Sequence, residues 1–491
     1  MTRWRAGPLS PVLRLVGPHW PIALLLLASG LAYGQTLGAY GMLMWDEAEY
    51  ASLARSVVRG DGYTIAGEPQ VLRPPILPLA GAASLWAAGR VDDRVLKRAT
   101  VAMALLALAI VYAGAARAYD PATGLVASAL MASTPWFWTS TANFLSEIPL
   151  LAFFGGAVFC WTFGLYRSPR YFYLSWLCIG LAFLTRYTAL LFGPLAVGLT
   201  AAALATRDRA VQGRVLSRDF ALAPLLGVVV VAPWFARQAV VFGDPLVGLR
   251  QAATQLQVYL PGVSMPWYQY LVGLPAILSP PTTVFLVVGI AWTASRADRF
   301  GAQCVIVVVF VVTWFSCYRY KEPRLITAML PAAAVLAAVG LTRGLPGGRA
   351  VRAGGAAVVL AGTVAFNGVA AHRVFDRTVT LGYPSFLQAM VFVRDHSSPA
   401  ALLVGPNRPQ IFWYADRTVV DFPAEAAALP ALLERADWVV ITNFERGQKS
   451  YVSDLARKIP RSDFQDQSAV LFQDGRYMTL VVRADRLRAR L

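Results

Sequence analysis

Residues 147–166 read EIPLLAFFGGAVFCWTFGLY, with one charged residue, Glu147, at the head. Apolar residues occupy every face of a helical period, so no side is left for water. They show no two-residue alternation, which argues against a transmembrane β-strand. At about 1.5 Å per residue the run matches the helix of roughly 20 residues that a bilayer core requires. The stretch therefore reads as a membrane span that carries a carboxylate at one edge.

Outward from this run the same pattern recurs. The chain has 491 residues, 57% hydrophobic and 14% charged, with a mean hydropathy of +0.52. Soluble domains carry roughly 25% charged residues. A disordered chain, a coiled coil and a disulfide scaffold are excluded. About eleven apolar runs of near-spanning length are legible, at about 20–40, 96–117, 121–141, 147–166, 171–185, 187–206, 220–241, 272–294, 302–318, 325–342 and 352–371. The expected fold class is an all-α polytopic membrane bundle. The N-terminus has basic residues and then an apolar run without a small-residue cleavage site before Gln35, so it reads as a retained first span rather than a signal peptide. Cys160, Cys178, Cys304 and Cys317 fall in or beside apolar runs without a paired spacing and read as packing residues. His19, His372 and His396 are too scattered for a metal cluster.

The net charge is +17 and the pI about 10.0. On a soluble protein this would suggest nucleic acid; here most cations sit in short turns between apolar runs, which is the signature of membrane topology. With a cytoplasmic N-terminus, the turns on that side hold Arg3, Arg5, Arg14, Arg117, Arg167, Arg170, Arg207, Arg209, Arg214, Arg218, Arg296, Arg299, Arg343, Arg349 and Arg352, against only Asp120, Asp208, Asp219 and Asp298. An odd span count then places the C-terminus outside. High Arg and Ala with little Lys fits a GC-rich bacterial genome, hence a bacterial inner membrane.

The chain reads as a transmembrane module over 1–372, with long external loops at 41–95 and 242–271, followed by a soluble extracytoplasmic α/β domain over 373–491. That tail predicts strands at 401–405, 418–422 and 437–444, helices near 409–415 and through 424–436, and a hairpin of AVLFQ and YMTLVVR across Asp474-Gly475.

Charged residues at the outer span ends carry the chemistry. In MLMWDEAEYASLARSVVRGDGY (42–63), Asp46 and Glu47 follow an apolar run, and Ala51, Leu53, Ala54, Val57 and Val58 give a short amphipathic helix with Arg55 and Arg59 on its other face. Such a helix lies along the membrane surface. Asp46 is placed either to cap it or to serve as a general base, partly desolvated beside the bilayer. Glu147 starts its helix on the same side, with Pro149 suited to the first turn, or assists at a site built by the first loop. CYRYKEPR (317–324) puts Arg319, Lys321 and Arg324 in an external turn, against the topology rule. They pair with Glu322 or lipid headgroups, or they bind an anionic ligand such as phosphate. Arg186 and Arg73 are further cations of this kind, the latter fixed by Pro74 and Pro75. In the 242–271 loop, Tyr259, Trp267 and Tyr268 suit either sugar stacking or an interfacial aromatic belt; Tyr63 is a further aromatic candidate for sugar or acceptor contact.

Taken together, WDEAEYASLARSVVRGDGY, RPPILPLAGA, SEIPLLAFF, LTRYTALLFGPLAV and YKEPRLITAMLPAAAVLAAVG, in this order over roughly 20–345, resemble the GT-C superfamily of membrane glycosyltransferases. The likeness is to the branch of protein O-mannosyltransferases, the lipid A aminoarabinose transferase and RgtA-like lipopolysaccharide sugar transferases. The resemblance implies a polyprenyl-phosphate sugar donor, inversion at the anomeric carbon, and a lipid, glycan or protein acceptor. It implies catalytic roles for Asp46, with Glu47 adjacent, and for Glu147, and donor-phosphate contacts for Arg73, Arg186, Arg319, Lys321 and Arg324. No external Asp-Xaa-Asp triplet is present, so no metal or other cofactor is expected. A transporter or flippase of lipid-linked sugars, a lipid-pyrophosphate-dependent ligase or polymerase, and a noncatalytic membrane subunit are the rival readings. The notable charges cluster at span ends rather than centres and no internal repeat is visible, which disfavours transport.

Overall fold

The computed structural model describes residues 19–38, 41–42, 44–258, 264–346, 349–380, 384–444, 449–457, 459–475 and 477–491. The chain divides into two compact units. One comprises Met1–Leu37, Val71–Ala80 and Lys97–Phe375; the other comprises Gly38–Gln70, Gly81–Leu96 and Asp376–Leu491.

The first unit is a helical bundle. Among the described residues each apolar run forms helix, but not every run yields one helix of spanning length. Among the described residues, seven helices are long and apolar enough to cross a membrane: Asp93–Ala118, Glu147–Tyr166, Tyr187–Ala205, Arg218–Phe242, Arg299–Ser316, Pro323–Arg343 and Ala353–Asp376. The pair Gln269–Leu278 and Pro280–Arg296, bent by 113°, makes an eighth if it counts as one span. The correction has local causes. The 121–141 run breaks at Thr134, whose extended ψ of 125° is what a residue before proline adopts, so it yields Pro121–Ser133 and Pro135–Thr141. The 272–294 run breaks at Ser279, at φ 79°, directly before Pro280. Tyr171–Phe183 and Ile76–Ala88 are apolar but short.

Helix Glu147–Tyr166 lies at the centre, 94% of its apolar window buried. It packs on Tyr171–Phe183 and on the 3-10 turn Pro323–Met329. Helices Pro280–Arg296 and Leu330–Arg343 approach closest: a Cβ on Gly289 would overlap the carbonyl of Leu336, and one on Gly340 the carbonyl of Phe285. Between membrane helices, where no hydrophobic drive operates, such backbone contact is a main source of cohesion. The carboxylates of the basic turns fasten helix ends. Asp120 caps Pro121–Ser133 through Thr123 N at 2.8 Å and pairs with Arg343 at 2.7 Å; Asp208 pairs with Arg299 at 2.6 Å.

The second unit contains a five-stranded mixed sheet. Strands Thr418–Val420, Leu402–Val404 and Trp438–Thr442 run parallel, and Tyr477–Arg483 and Ala469–Asp474 complete it antiparallel, in that spatial order. Alternation sorts the side chains. Trp438 and Val440 face Phe386, Met390, Val393 and Ile411, whereas Val439 and Ile441 face Leu429, Leu433, Val452 and Leu487. The predicted strands, the helix at Arg408–Ala415 and the late hairpin are all present.

The same unit holds helix Trp45–Arg59, which packs on Arg408–Ala415. Here one expectation is corrected: Arg55 does not lie on a solvent face but is 2% exposed. Its guanidinium donates to the carbonyls of Trp413 and Phe412, both at 3.0 Å, and lies over their rings at 5.1 and 4.6 Å. These carbonyls lie in the last turn of a short helix, where the dipole favours a cation, and that of Phe412 also accepts from Asp416 N at 3.1 Å. Asp416 sits 3.2 Å from Arg55 and takes a bidentate pair from Arg59 at 3.0 and 2.8 Å. Asp93 accepts from Trp413 Nε1 at 2.8 Å and from the Tyr414 hydroxyl at 2.9 Å, and that hydroxyl accepts from Met42 N at 2.6 Å.

Burial pushes Arg55 down to about 10 against the pull of Asp416. Burial alone would raise Asp416, but the Arg59 hydrogen bond and the Arg55 charge outweigh it and hold the carboxyl below its ordinary value. A carboxyl lowered by folding stabilises the folded state above its unfolded pKa and loses that contribution as pH falls through the folded value. Hydrogen exchange in Trp45–Arg59 is therefore expected to stay slow down to about pH 5 and to quicken below about pH 4, with the step abolished in Asp416→Asn. In the bundle, Gly340→Leu is expected to destabilise by at least about 1–3 kcal/mol, read as a lower Tm in detergent; an unchanged Tm would contradict the close approach.

Candidate functional site

Within the bundle, the central helix opens with Glu147, where the helix dipole favours a carboxylate. Glu147 is 2% exposed. Its Oε1 accepts from Arg186 Nη1, whereas Oε2 accepts no hydrogen bond among the described residues. Arg186 stands in the break between Tyr171–Phe183 and the 3-10 turn Tyr187–Leu191. The two sequence candidates thus meet as an ion pair in which Glu147 is buried and Arg186 reaches partly to the surface, so the carboxylate is the partner that depends on it.

The same break holds the Arg73-Pro74-Pro75 element. Ile76 N donates to the Leu184 carbonyl at 3.0 Å, and the Tyr187 hydroxyl donates to the Val71 carbonyl at 2.9 Å. Half-buried Arg73 is clamped on both sides along the chain, and the prolines between have no N–H to satisfy. Trp234 Nε1 donates to the Tyr187 oxygen at 3.0 Å. Gln238 accepts from Gly248 N at 3.1 Å, and a Cβ at Gly248 would collide with the Tyr187 hydroxyl, so only glycine fits there.

The KEPR turn is used differently. Lys321 is 5% exposed, and its Nζ donates to the carbonyls of Met265 at 3.0 Å and Tyr318 at 2.6 Å. Arg324 pairs with Glu322, which also accepts from the Tyr320 hydroxyl at 2.6 Å. Arg319 is exposed, and its carbonyl accepts from Met265 N at 2.9 Å. The turn is thus stitched to the end of the 242–271 loop. Trp267 and Tyr268 are exposed there, rings edge-to-face at 5.9 Å. Tyr259 lies outside the described residues, as do Arg3, Arg5 and Arg14.

In the second unit, Glu47 is wholly buried and takes Met44 N at 3.1 Å through Oε2, so it, rather than Asp46, closes the start of helix Trp45–Arg59. Asp46 is half-buried in the first turn, and Tyr63 is half-buried beyond the helix.

An apolar cavity of about 640 Å³ opens in the bundle, lined among others by Trp161, Trp176, Phe183, Phe192, Gly193 and Phe235. The one polar side chain lining it that bears a hydroxyl, Thr200, accepts from Trp161 Nε1 at 3.1 Å. Its lining also includes Leu249, and Phe183 touches both Tyr187 and Phe235, ring centroids at 5.2 and 5.6 Å. Through Phe183 and Leu249 its lining adjoins Tyr187 and Gly248, and among the described residues no Lys or Arg is part of it.

A family model described as dolichyl-phosphate-mannose-protein mannosyltransferase matches residues 73–236. Among solved structures, ArnT from Cupriavidus metallidurans in the apo state is similar at a TM-score of 0.74 with 15% identity, over 94% of this chain and 98% of that one. ArnT from Cupriavidus metallidurans bound to undecaprenyl phosphate is similar at 0.72 with 16% identity, over 94% and 97%. The oligosaccharyltransferase of Archaeoglobus fulgidus in the apo form is similar at 0.58 with 12% identity, over 85% and 69%. The chain has the GT-C fold. No curated protein matches it.

On this GT-C scaffold, several polar residues escaped the sequence reading. Tyr187, Trp234 and Gln238 look like ordinary residues of apolar runs, and only the adjacency of Tyr187 to Arg186 was a signal. Lys97, wholly buried near the start of Asp93–Ala118, was hidden among loop cations. Trp138 Nε1 and Asn143 Oδ1, shortly before Glu147, are buried without a hydrogen bond among the described residues. Arg237 lies over the Trp234 ring at 5.2 Å. Among the described residues no group of His, Cys, Asp and Glu could hold a metal ion.

Arg186→Ala leaves Glu147 buried without its counter-charge. It is expected to lower stability by about 3–5 kcal/mol, and Glu147→Gln with Arg186→Leu by much less. Thermal unfolding of the purified variants checks this ordering; equal losses would refute it.

Proposed function

We propose that the chain is an inverting glycosyltransferase that moves a sugar from a polyprenyl-phosphate donor to an extracytoplasmic lipid, polysaccharide or protein acceptor. The observation that carries this reading is an apolar cavity of about 640 Å³ in the same bundle that holds Arg186 against Glu147. A ligand with a long hydrocarbon chain and an anionic head has these two halves. The solved ArnT bound to undecaprenyl phosphate, similar in fold, supports the same ligand class.

In this reading Asp46 accepts the proton of the acceptor hydroxyl or amine as that group attacks the anomeric carbon. The bond from that carbon to the phosphate oxygen breaks, and its electron pair leaves with the phosphate. A phosphate leaving group needs no general acid. Arg73, Arg186 and Arg324 stabilise the charge that grows on it in a low-dielectric setting, which is usually a large catalytic contribution. Glu147 orients Arg186, and Glu47 holds the helix that carries Asp46. Arg319, whose side chain is exposed, and Lys321, which donates two of its three N–H groups to carbonyls, are further candidates for contact with that phosphate. Tyr63, Tyr259, Trp267 and Tyr268 are candidates for sugar or acceptor contact. The reading places a catalytic membrane module over 1–372 in a bacterial inner membrane, N-terminus cytoplasmic, and the 373–491 domain outside. It invokes no metal.

Reconstituted wild type is expected to release polyprenyl phosphate from one member of a panel of polyprenyl-phosphate sugars given membrane extract as acceptor. Asp46→Asn is expected to reduce that release roughly 10²- to 10⁴-fold. No release with any donor from folded protein would favour the pyrophosphate or transport readings. A cavity-filling variant tests the lipid side. A Cβ at Gly193 meets open space, so Gly193→Trp is expected to raise KM for a long-chain donor while leaving a short-chain analogue little changed.

A further inference from the structure

The helix that carries Asp46 has a problem of its own. Trp45–Arg59 is 15 residues long, and isolated helices of about that length are marginal in water. A residue poised to take a proton must nonetheless be held closely, since a misplacement of about 1 Å can cost about 10²-fold in rate. Something in the second unit has to fix it.

That role falls to one short segment, IFWYAD at 411–416. Four of its six side chains reach the first loop or its partners, on both sides of Asp46. Ahead of Asp46, the Tyr414 hydroxyl accepts from Met42 N at 2.6 Å and donates to Asp93 at 2.9 Å, and Trp413 Nε1 donates to the other oxygen of Asp93 at 2.8 Å. After Asp46, the Phe412 and Trp413 rings and carbonyls enclose Arg55, and Asp416 takes Arg59 bidentately. Gly41 is part of the fit, because a Cβ there would run into the Tyr414 hydroxyl. Asp416 itself adopts φ 53°, a left-handed conformation that costs a non-glycine residue energy. The strain is offset where the carboxylate meets two guanidinium groups.

We propose that the 411–416 segment of the C-terminal domain is a positioning clamp for the Asp46 helix, with Tyr414 and Asp416 as positioning residues for the transfer step. This rests on the assignment of Asp46 as base. It gives the C-terminal domain a part in turnover that differs from capping an acceptor: loss of the clamp slows the chemical step rather than weakening acceptor binding.

The test uses the full chain in reconstituted membranes, with a polyprenyl-phosphate sugar that wild type turns over. Tyr414→Phe removes one hydroxyl, Asp416→Ala removes the carboxylate, and Asp416→Glu restores it one methylene longer. Each is measured for kcat, for KM of donor and acceptor, and for hydrogen exchange across residues 44–59. The expected result is a kcat lowered roughly tenfold to a hundredfold in Tyr414→Phe and Asp416→Ala. Both KM values should stay within about twofold of wild type, exchange across the helix should quicken, and Asp416→Glu should recover most of kcat. Faster exchange at wild-type kcat overturns the proposal, and so does a rise confined to acceptor KM, which would make the domain an acceptor cap. Should Asp416→Ala fail to fold, Tyr414→Phe alone decides between these outcomes. Wild type inactive with every donor overturns the glycosyltransferase reading first, and this is visible before any variant is compared.

Discussion

A carboxylate buried at the head of the most enclosed helix sets the terms for the bundle. Glu147 cannot reach water, because the helix behind it is the innermost of the spans. An ionised group in such a place must be paired or neutralised. Arg186 supplies the charge, and it can do so only because its chain segment breaks between Tyr171–Phe183 and Tyr187–Leu191 and presents a turn rather than a continuous helix. That break in turn receives Val71 and Ile76 from the chain before and after Arg73. Irregular backbone at a membrane edge is tolerated when its polar groups find partners in the protein, and here they do.

The bundle also holds an apolar cavity. Its floor is built of aromatic rings and of glycines without side chains, so it offers length and shape but almost no hydrogen bonding. The second unit solves a different problem. A short amphipathic helix is stabilised by burying an arginine between two aromatic rings and against the terminal carbonyls of another helix, a device that joins cation–π attraction to helix-end capping.

Much of this was legible from the residues, and the misses have physical reasons. Apolar runs located the helices, since a span must satisfy its own backbone. They could not count the spans, because Thr134-Pro135 and Ser279-Pro280 break runs whose composition is uniform. Strands such as Trp438–Thr442 were readable as short continuous apolar runs, since both of their faces are buried in different layers. Glu147 and Arg186 stood out as charges at span edges, yet their pairing across 39 positions in sequence is a tertiary fact. Arg55 was assigned to solvent because a helical wheel knows only its own helix; the rings that bury it lie more than 350 positions away. Lys321 read as an anion ligand by charge, whereas the fold turns its ammonium onto two carbonyls. Trp234 and Gln238 gave no signal, because a polar residue inside an apolar run looks the same whether or not it meets another.

The central claim is that the apolar cavity lined by Trp176, Phe183 and Phe235 holds the polyprenyl chain of the donor. The most direct test is photo-crosslinking with a polyprenyl phosphate that carries a diazirine on an isoprene unit, followed by peptide mapping. Label is expected on cavity-lining segments around Trp176–Phe183, Phe192–Leu204 and Gly227–Phe235, and excess unlabelled polyprenyl phosphate should suppress it. Label spread evenly over the lipid-facing helices, or unmoved by competitor, would contradict the account.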